Sequence, residues 1–172
     1  MLPKARNAGV DRAAVILRLT RYGVYITVGV MIWWMLSNYT FVQLNEDDTS
    51  IVGISGYRRL LVERSQADHA PFSSGSVLVF AMLDISLQPF FRVSRVAAGP
   101  GDDVAVSNGF YTVNGSVLDT KVADRAALTG KVPDGFYLVF NDNPLSRYPD
   151  SRQLGLIDPK WVIGRFLCEM PF

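Results

Sequence analysis

Cysteine and histidine each occur once in this chain of 172 residues, as Cys168 and His69. A single thiol cannot close an intrachain disulfide, and one thiol with one imidazole cannot complete a structural zinc site. No cofactor or metal site is therefore expected. Lysine is scarce too: Lys4, Lys121, Lys131 and Lys160 are four of 17 basic residues, and none falls between residues 5 and 120. Internal repeats and low-complexity stretches are missing. What is abundant is apolar: 49% hydrophobic and 12% aromatic residues rule out disorder for the bulk. The length suits one domain with a real core.

The net charge of +1 hides a split. Residues 1–45 carry five basic side chains (Lys4, Arg6, Arg12, Arg18, Arg21) against Asp11, and residues 46–172 carry 12 basic against 15 acidic. The basic residues precede an apolar run and form no stripe on a folded domain, which argues against a nucleic-acid partner. Between Arg21 and Glu46 lie 24 residues without charge, enough for a helix to cross a bilayer. Trp33, Trp34 and Tyr39 suit its outer interface. A buried helix is excluded by the flanking charges, and a cleavable leader by the lack of a small-x-small site after the run. The expectation is an uncleaved anchor over 22–45. A basic amphipathic segment over 1–21 lies on the cytoplasmic side of an inner membrane, and residues 46–172 form a periplasmic or extracytoplasmic domain.

From Ile51 onward the pattern is short β-type runs between turn residues. Runs begin at Ser76, Phe90, Asp103, Phe110, Ser116, Gly135 and Trp161, and Asn108-Gly109 and Asn114-Gly115 are two-residue hairpin signals. The fold expected is mostly β, a barrel or sandwich of short antiparallel strands behind one membrane helix. Residues 46–74 are the least regular.

Three stretches then occur in order. Arg92-Val-Ser-Arg-Val-Ala-Ala-Gly-Pro-Gly-Asp102 leads to a hairpin ending Thr112-Val-Asn-Gly115. Next come Val132-Pro-Asp-Gly-Phe-Tyr-Leu-Val-Phe-Asn-Asp-Asn143 and Asp150-Ser-Arg-Gln-Leu-Gly155. Together with the anchor they resemble the type I signal peptidase family, including its conjugative-transfer branch, over residues 74–170 and more weakly over 50–73. The resemblance implies a membrane-tethered β-domain that cleaves exported precursor proteins with a Ser nucleophile and a Lys general base. It also implies membrane lipid and an exported precursor or peptide as partners, with pilus or secretion-system subunits as further ones. A serine hydroxyl attacks only once a base takes its proton, and a lysine can do so only if burial lowers its pKa.

On that resemblance Ser55 takes the nucleophile position in one register and Ser50 in a second. The general-base position falls at Ser94. Arg95, Asp150, Ser151 and Arg152 take the bracing positions, with Asp150–Arg152 or Asp150–Arg95 as the ion pair. The serine that orients the lysine is matched by Tyr148, with Ser146 close by. A guanidinium accepts no proton, so neither Arg92 nor Arg95 replaces the lysine. The remaining sources of a base are His69, a water held by Ser94, or Lys121 or Lys131. Two functions follow: a signal-peptidase-like serine endopeptidase, or a catalytically inactive relative that binds an exported, pilus or secretion subunit. Phe90, Phe91, Met82 and Leu83 read as core, with contact to the outer leaflet as the alternative, and Cys168 as a small buried hydrophobe.

Overall fold

A computed structural model describes residues 8–44, 50–54, 59–65, 71–83, 89–122, 128–146 and 148–170. The chain divides after Asn38 into two units.

The first unit is helix α1, Ala8–Asn38. Its Ala14–Asn38 portion is long and apolar enough to cross a membrane, about 37 Å at ~1.5 Å per residue against a hydrocarbon core of about 30 Å. Leu17, Ile26, Trp33 and Leu36 are all more than 60% exposed, so within its own unit the helix has no core to face. Four of its polar side chains are satisfied within the helix. The hydroxyls of Thr20, Thr27 and Ser37 and the amide of Asn38 each donate to the carbonyl four residues earlier. That is the arrangement an apolar solvent demands.

Two boundaries differ from the sequence reading. Helix α1 runs without a break from Ala8 through residues 21 and 22, where the sequence reading divides segment from anchor, and it stops at Asn38, short of Asn45. The end of the uncharged run becomes strand β1, Tyr39–Gln43. Tyr39-Thr-Phe-Val is aromatic and β-branched, and alternation buries Val42 while Phe41 faces out.

In the second unit one sheet has the order β1-β2-β10-β3-β4-β9, all antiparallel. Its strands are β2 (Arg59–Arg64), β3 (Val77–Leu83), β4 (Pro89–Ala98), β9 (Leu138–Phe140) and β10 (Val162–Met170). A smaller sheet, order β7-β6-β5-β8, comprises β5 (Asp103–Ser107), β6 (Phe110–Val113), β7 (Ser116–Lys121) and β8 (Gly130–Lys131). Mostly antiparallel β structure was expected and is what forms. Asn108-Gly109 and Asn114-Gly115 turn the hairpins with φ of 52°, 80°, 50° and 81°, the left-handed pairs that a twisted two-residue turn requires.

Strand β2 lies within the stretch read as least regular. Leu60 and Val62, both fully buried, hold it between β1 and β10. At Gly164 of β10 any side chain would collide with the backbone carbonyl of Glu63 on β2.

Cys168 is exposed, contrary to its reading as a buried hydrophobe. The pairing of β10 with β2 slips between Phe166 and Cys168. This bulge breaks the alternation and leaves Leu167 and Cys168 both outward. Phe91 and Met82 are half-buried and pack against the core, as read, while Phe90 is half-buried and Leu83 is exposed.

Candidate functional site

Strand β4 runs between β3 and β9 and carries Arg92, Ser94 and Arg95. Ser94, 1% exposed, donates its hydroxyl to Asn141 Oδ1 at 2.7 Å. Asn141 follows β9 and is itself buried. Its side-chain amide donates to the Tyr148 carbonyl at 2.8 Å, and its backbone N–H donates to Asp150 Oδ2 at 3.0 Å. The Tyr148 N–H donates to Ser146 Oγ at 3.2 Å, and Ser146 Oγ lies 3.1 Å from Ser50 Oγ. Ser50 is 1% exposed, and its carbonyl accepts the Asn143 N–H. One connected series of hydroxyls and amides therefore runs from Ser94 to Ser50.

Charged pairs flank this series. Arg95 binds Asp142 through two parallel hydrogen bonds of 2.7 and 2.6 Å and reaches the Gly75 carbonyl with its third nitrogen. The hydrogen bonds to Asp142 hold the Arg95 guanidinium above its ordinary value; burial opposes them and the carboxylate's charge adds to them. Asp150, fully buried, accepts from Arg152 Nη2 at 2.7 Å and from the Arg152 backbone N–H at 2.9 Å. Its hydrogen bonds likewise raise Arg152 above the usual guanidinium value, against desolvation. Of the two ion pairs anticipated for Asp150, the structure forms the one with Arg152, while Arg95 goes to Asp142.

Asp150 also begins helix α2, Ser151–Leu154, as its N-cap. A reciprocal capping box links it to Gln153, whose side chain accepts the Asp150 N–H at 3.0 Å. Ser151 is buried, and its hydroxyl accepts the Val139 N–H at 2.9 Å, tying α2 to β9. These contacts tie the chain at Asp150 and Ser151 to Arg152 and β9, four residues after Ser146.

Ser94 and Asp150 both bond Asn141, Asp150 pairs with Arg152, Ser151 bonds Val139 and Arg95 pairs with Asp142, whereas Ser55 and His69 lie outside the described residues. Lys121 and Lys131 are exposed on β7 and β8 of the smaller sheet. Lys160 pairs at the surface with Asp158 in the 3₁₀ turn Pro159–Trp161. Asn141, which joins Ser94 to Asp150, is the residue sequence reasoning passed over. Its place within Val139-Phe-Asn-Asp-Asn143 was visible, but its contact with a strand 47 residues earlier was not.

The family model described as signal peptidase, peptidase S26, matches residues 19–170. A curated protein named probable signal peptidase I-2, from Synechocystis sp., is 34% identical over 114 residues, 62% of this chain and 52% of the relative. The chain therefore spans about half the length of that relative. With helix α1, these matches mark a membrane-anchored protein. Matched by that model over residues 19–170, most of its length, the chain belongs to the signal peptidase family, peptidase S26.

Proposed function

We propose that this protein is a membrane-anchored, signal-peptidase-like serine endopeptidase that acts on exported precursor proteins, with Ser50 as its attacking group. The observation that carries the reading is the Ser50–Ser146 hydroxyl pair, 3.1 Å apart at the end of a loop held by two arginine–carboxylate braces. The family of the chain supplies the reaction type. The arrangement of charge supports a cytoplasmic residue 1–21 segment and an extracytoplasmic β unit.

In this reading Ser50 Oγ bonds to the scissile carbonyl carbon and the C–N bond breaks. The hydroxyl proton passes to the leaving amine, and water hydrolyses the ester. The proton must travel through a group other than a lysine at position 94. His69, or a water held at Ser94, are the carriers this chain offers.

A second reading, precursor binding without cleavage, draws support from one observation. The Ser94 hydroxyl hydrogen is committed to Asn141, so the general-base position holds a satisfied neutral group. Chains of this family bound to an extended peptide without turnover would still gain main-chain hydrogen bonds at a sheet edge.

Cleavage of exported precursors in membranes, by wild type, Ser50→Ala and Ser55→Ala, separates these readings. The expected result is processing by wild type that falls about a thousandfold in Ser50→Ala. Unchanged processing in Ser50→Ala overturns the assignment of Ser50. Precursor retained by wild type, uncleaved, establishes the second reading instead.

A further inference from the structure

Arg92 lies two residues before Ser94 on β4, and alternation puts both side chains on the same face of the sheet. It is charged yet 7% exposed. Its guanidinium carbon stands 3.7 Å from the centre of the Tyr148 ring and 4.5 Å from that of Phe90. A guanidinium over two aromatic rings is held by the negative charge of the rings' faces, and more strongly where water is excluded. Phe90 comes from the same strand. Tyr148 comes from the loop, and its backbone is the junction of the hydroxyl series: its N–H donates to Ser146, and its carbonyl accepts from Asn141.

We propose that the Arg92–Tyr148 stack is the latch that holds the 141–150 loop closed and so positions Ser146 against Ser50. Arg92 is a positioning residue in this scheme: it touches neither hydroxyl and works through the Tyr148 backbone. The braces Arg95–Asp142 and Asp150–Arg152 fix the two ends of the loop. Between them the described residues 143–146, 148 and 149 belong to no strand; Asn143 and Ser146 reach Ser50, and the stack ties Tyr148 to β4. The inference takes the importance of the Ser50–Ser146 pair from the reading above, but its geometry can be tested without any cleavage.

The test uses the full chain in detergent micelles or lipid nanodiscs. Amide hydrogen exchange is followed in peptides covering 142–149, with peptides from the β3–β4 pairing as an internal reference. Arg92→Met keeps the bulk and loses the charge; it is expected to speed exchange in 142–149 about tenfold while leaving β3–β4 unchanged. Arg92→Lys, which keeps a cation but not the planar face, should recover part of that protection. Tyr148→Phe keeps the ring and should exchange like wild type.

Should Arg92→Met loosen β3–β4 as well, Tyr148→Leu removes the stack from the loop side alone and is expected to open 142–149 by itself. Wild-type exchange in 142–149 for both Arg92→Met and Tyr148→Leu would overturn the latch. So would loss of protection in Tyr148→Phe equal to that in Tyr148→Leu, because the hydroxyl and not the stack would then hold the loop. On cleaved precursor, Arg92→Met should lower kcat with KM unchanged; a rise in KM at constant kcat counts against positioning. Failure of the Ser50→Ala cleavage test leaves the exchange result standing, so the two inferences fail separately.

Discussion

On the flanks of the site the chain keeps its charges in tight pairs, Arg95 with Asp142 and Asp150 with Arg152. At its centre, Ser94, Asn141, Ser146 and Ser50 form a neutral series of hydroxyls and an amide. The flanks do mechanical work: paired charges with several directed hydrogen bonds hold a loop whose described residues 143–146, 148 and 149 belong to no strand. On the assignment proposed above, the centre is where a group able to change protonation state is needed, and Ser94 there is already hydrogen-bonded to Asn141. On the same assignment, directed ion pairs shape this loop while the position proposed for proton transfer carries an uncharged side chain.

Removing a buried flank should have the largest effect. Asp150→Ala leaves the Arg152 guanidinium and the Asn141 N–H without their acceptor, and unfolding stability should fall by about 3 kcal/mol or more. The denaturant midpoint of the β unit in the full chain reads this. A loss comparable to that of a surface pair would show that the flank is not what holds the loop.

Restoring charge at the centre comes next. Ser94→Lys places an ammonium in a site 1% exposed, where burial lowers its pKa towards that of a usable base. Precursor cleavage is expected to rise about a hundredfold over wild type. An unchanged rate would mean that the centre lacks more than a base.

The outer flank should matter less. The side chain of Arg95 is 42% exposed, so water already screens its pair, and Asp142→Ala should cost about 1 kcal/mol by the same midpoint measurement. A cost as large as that of Asp150→Ala would erase the distinction between the flanks.

Smallest of all is the surface pair Asp158–Lys160. Its hydrogen bonds to Lys160 hold the Asp158 carboxyl below its ordinary value of 3.8. A carboxyl depressed in the folded state stabilises fully above the unfolded value and loses that contribution as pH falls through the folded one. Any contribution from Asp158 is thus complete above about pH 4 and disappears only in more acidic solution. At neutral pH Asp158→Ala should leave the melting temperature within about 2 °C of wild type.

Several parts of this arrangement are legible in the residues themselves. The Asn-Gly pairs specify their hairpins because only a few residue types tolerate successive left-handed conformations. The Asp150-x-x-Gln153 spacing specifies a helix start because those side chains reach the free N–H groups of one turn. The uncharged run marks a membrane helix by length and polarity alone. Its end was less legible: Tyr39–Gln43 is as uncharged as the helix, and only the pairing of β1 with β2 converts it to strand.

Local chemistry thus determined the class of fold, the presence of a membrane-length helix and the lack of any lysine between residues 5 and 120, because each rests on residue type and near-neighbour spacing. Tertiary structure alone decided that Ser94 would spend its hydrogen on Asn141, that Arg95 would choose Asp142 over Asp150, and that Ser50 would meet Ser146. Those contacts join residues 47 to 96 positions apart. No periodicity along the chain encodes them: they exist only once β4, β9 and the loop between β9 and α2 have packed together.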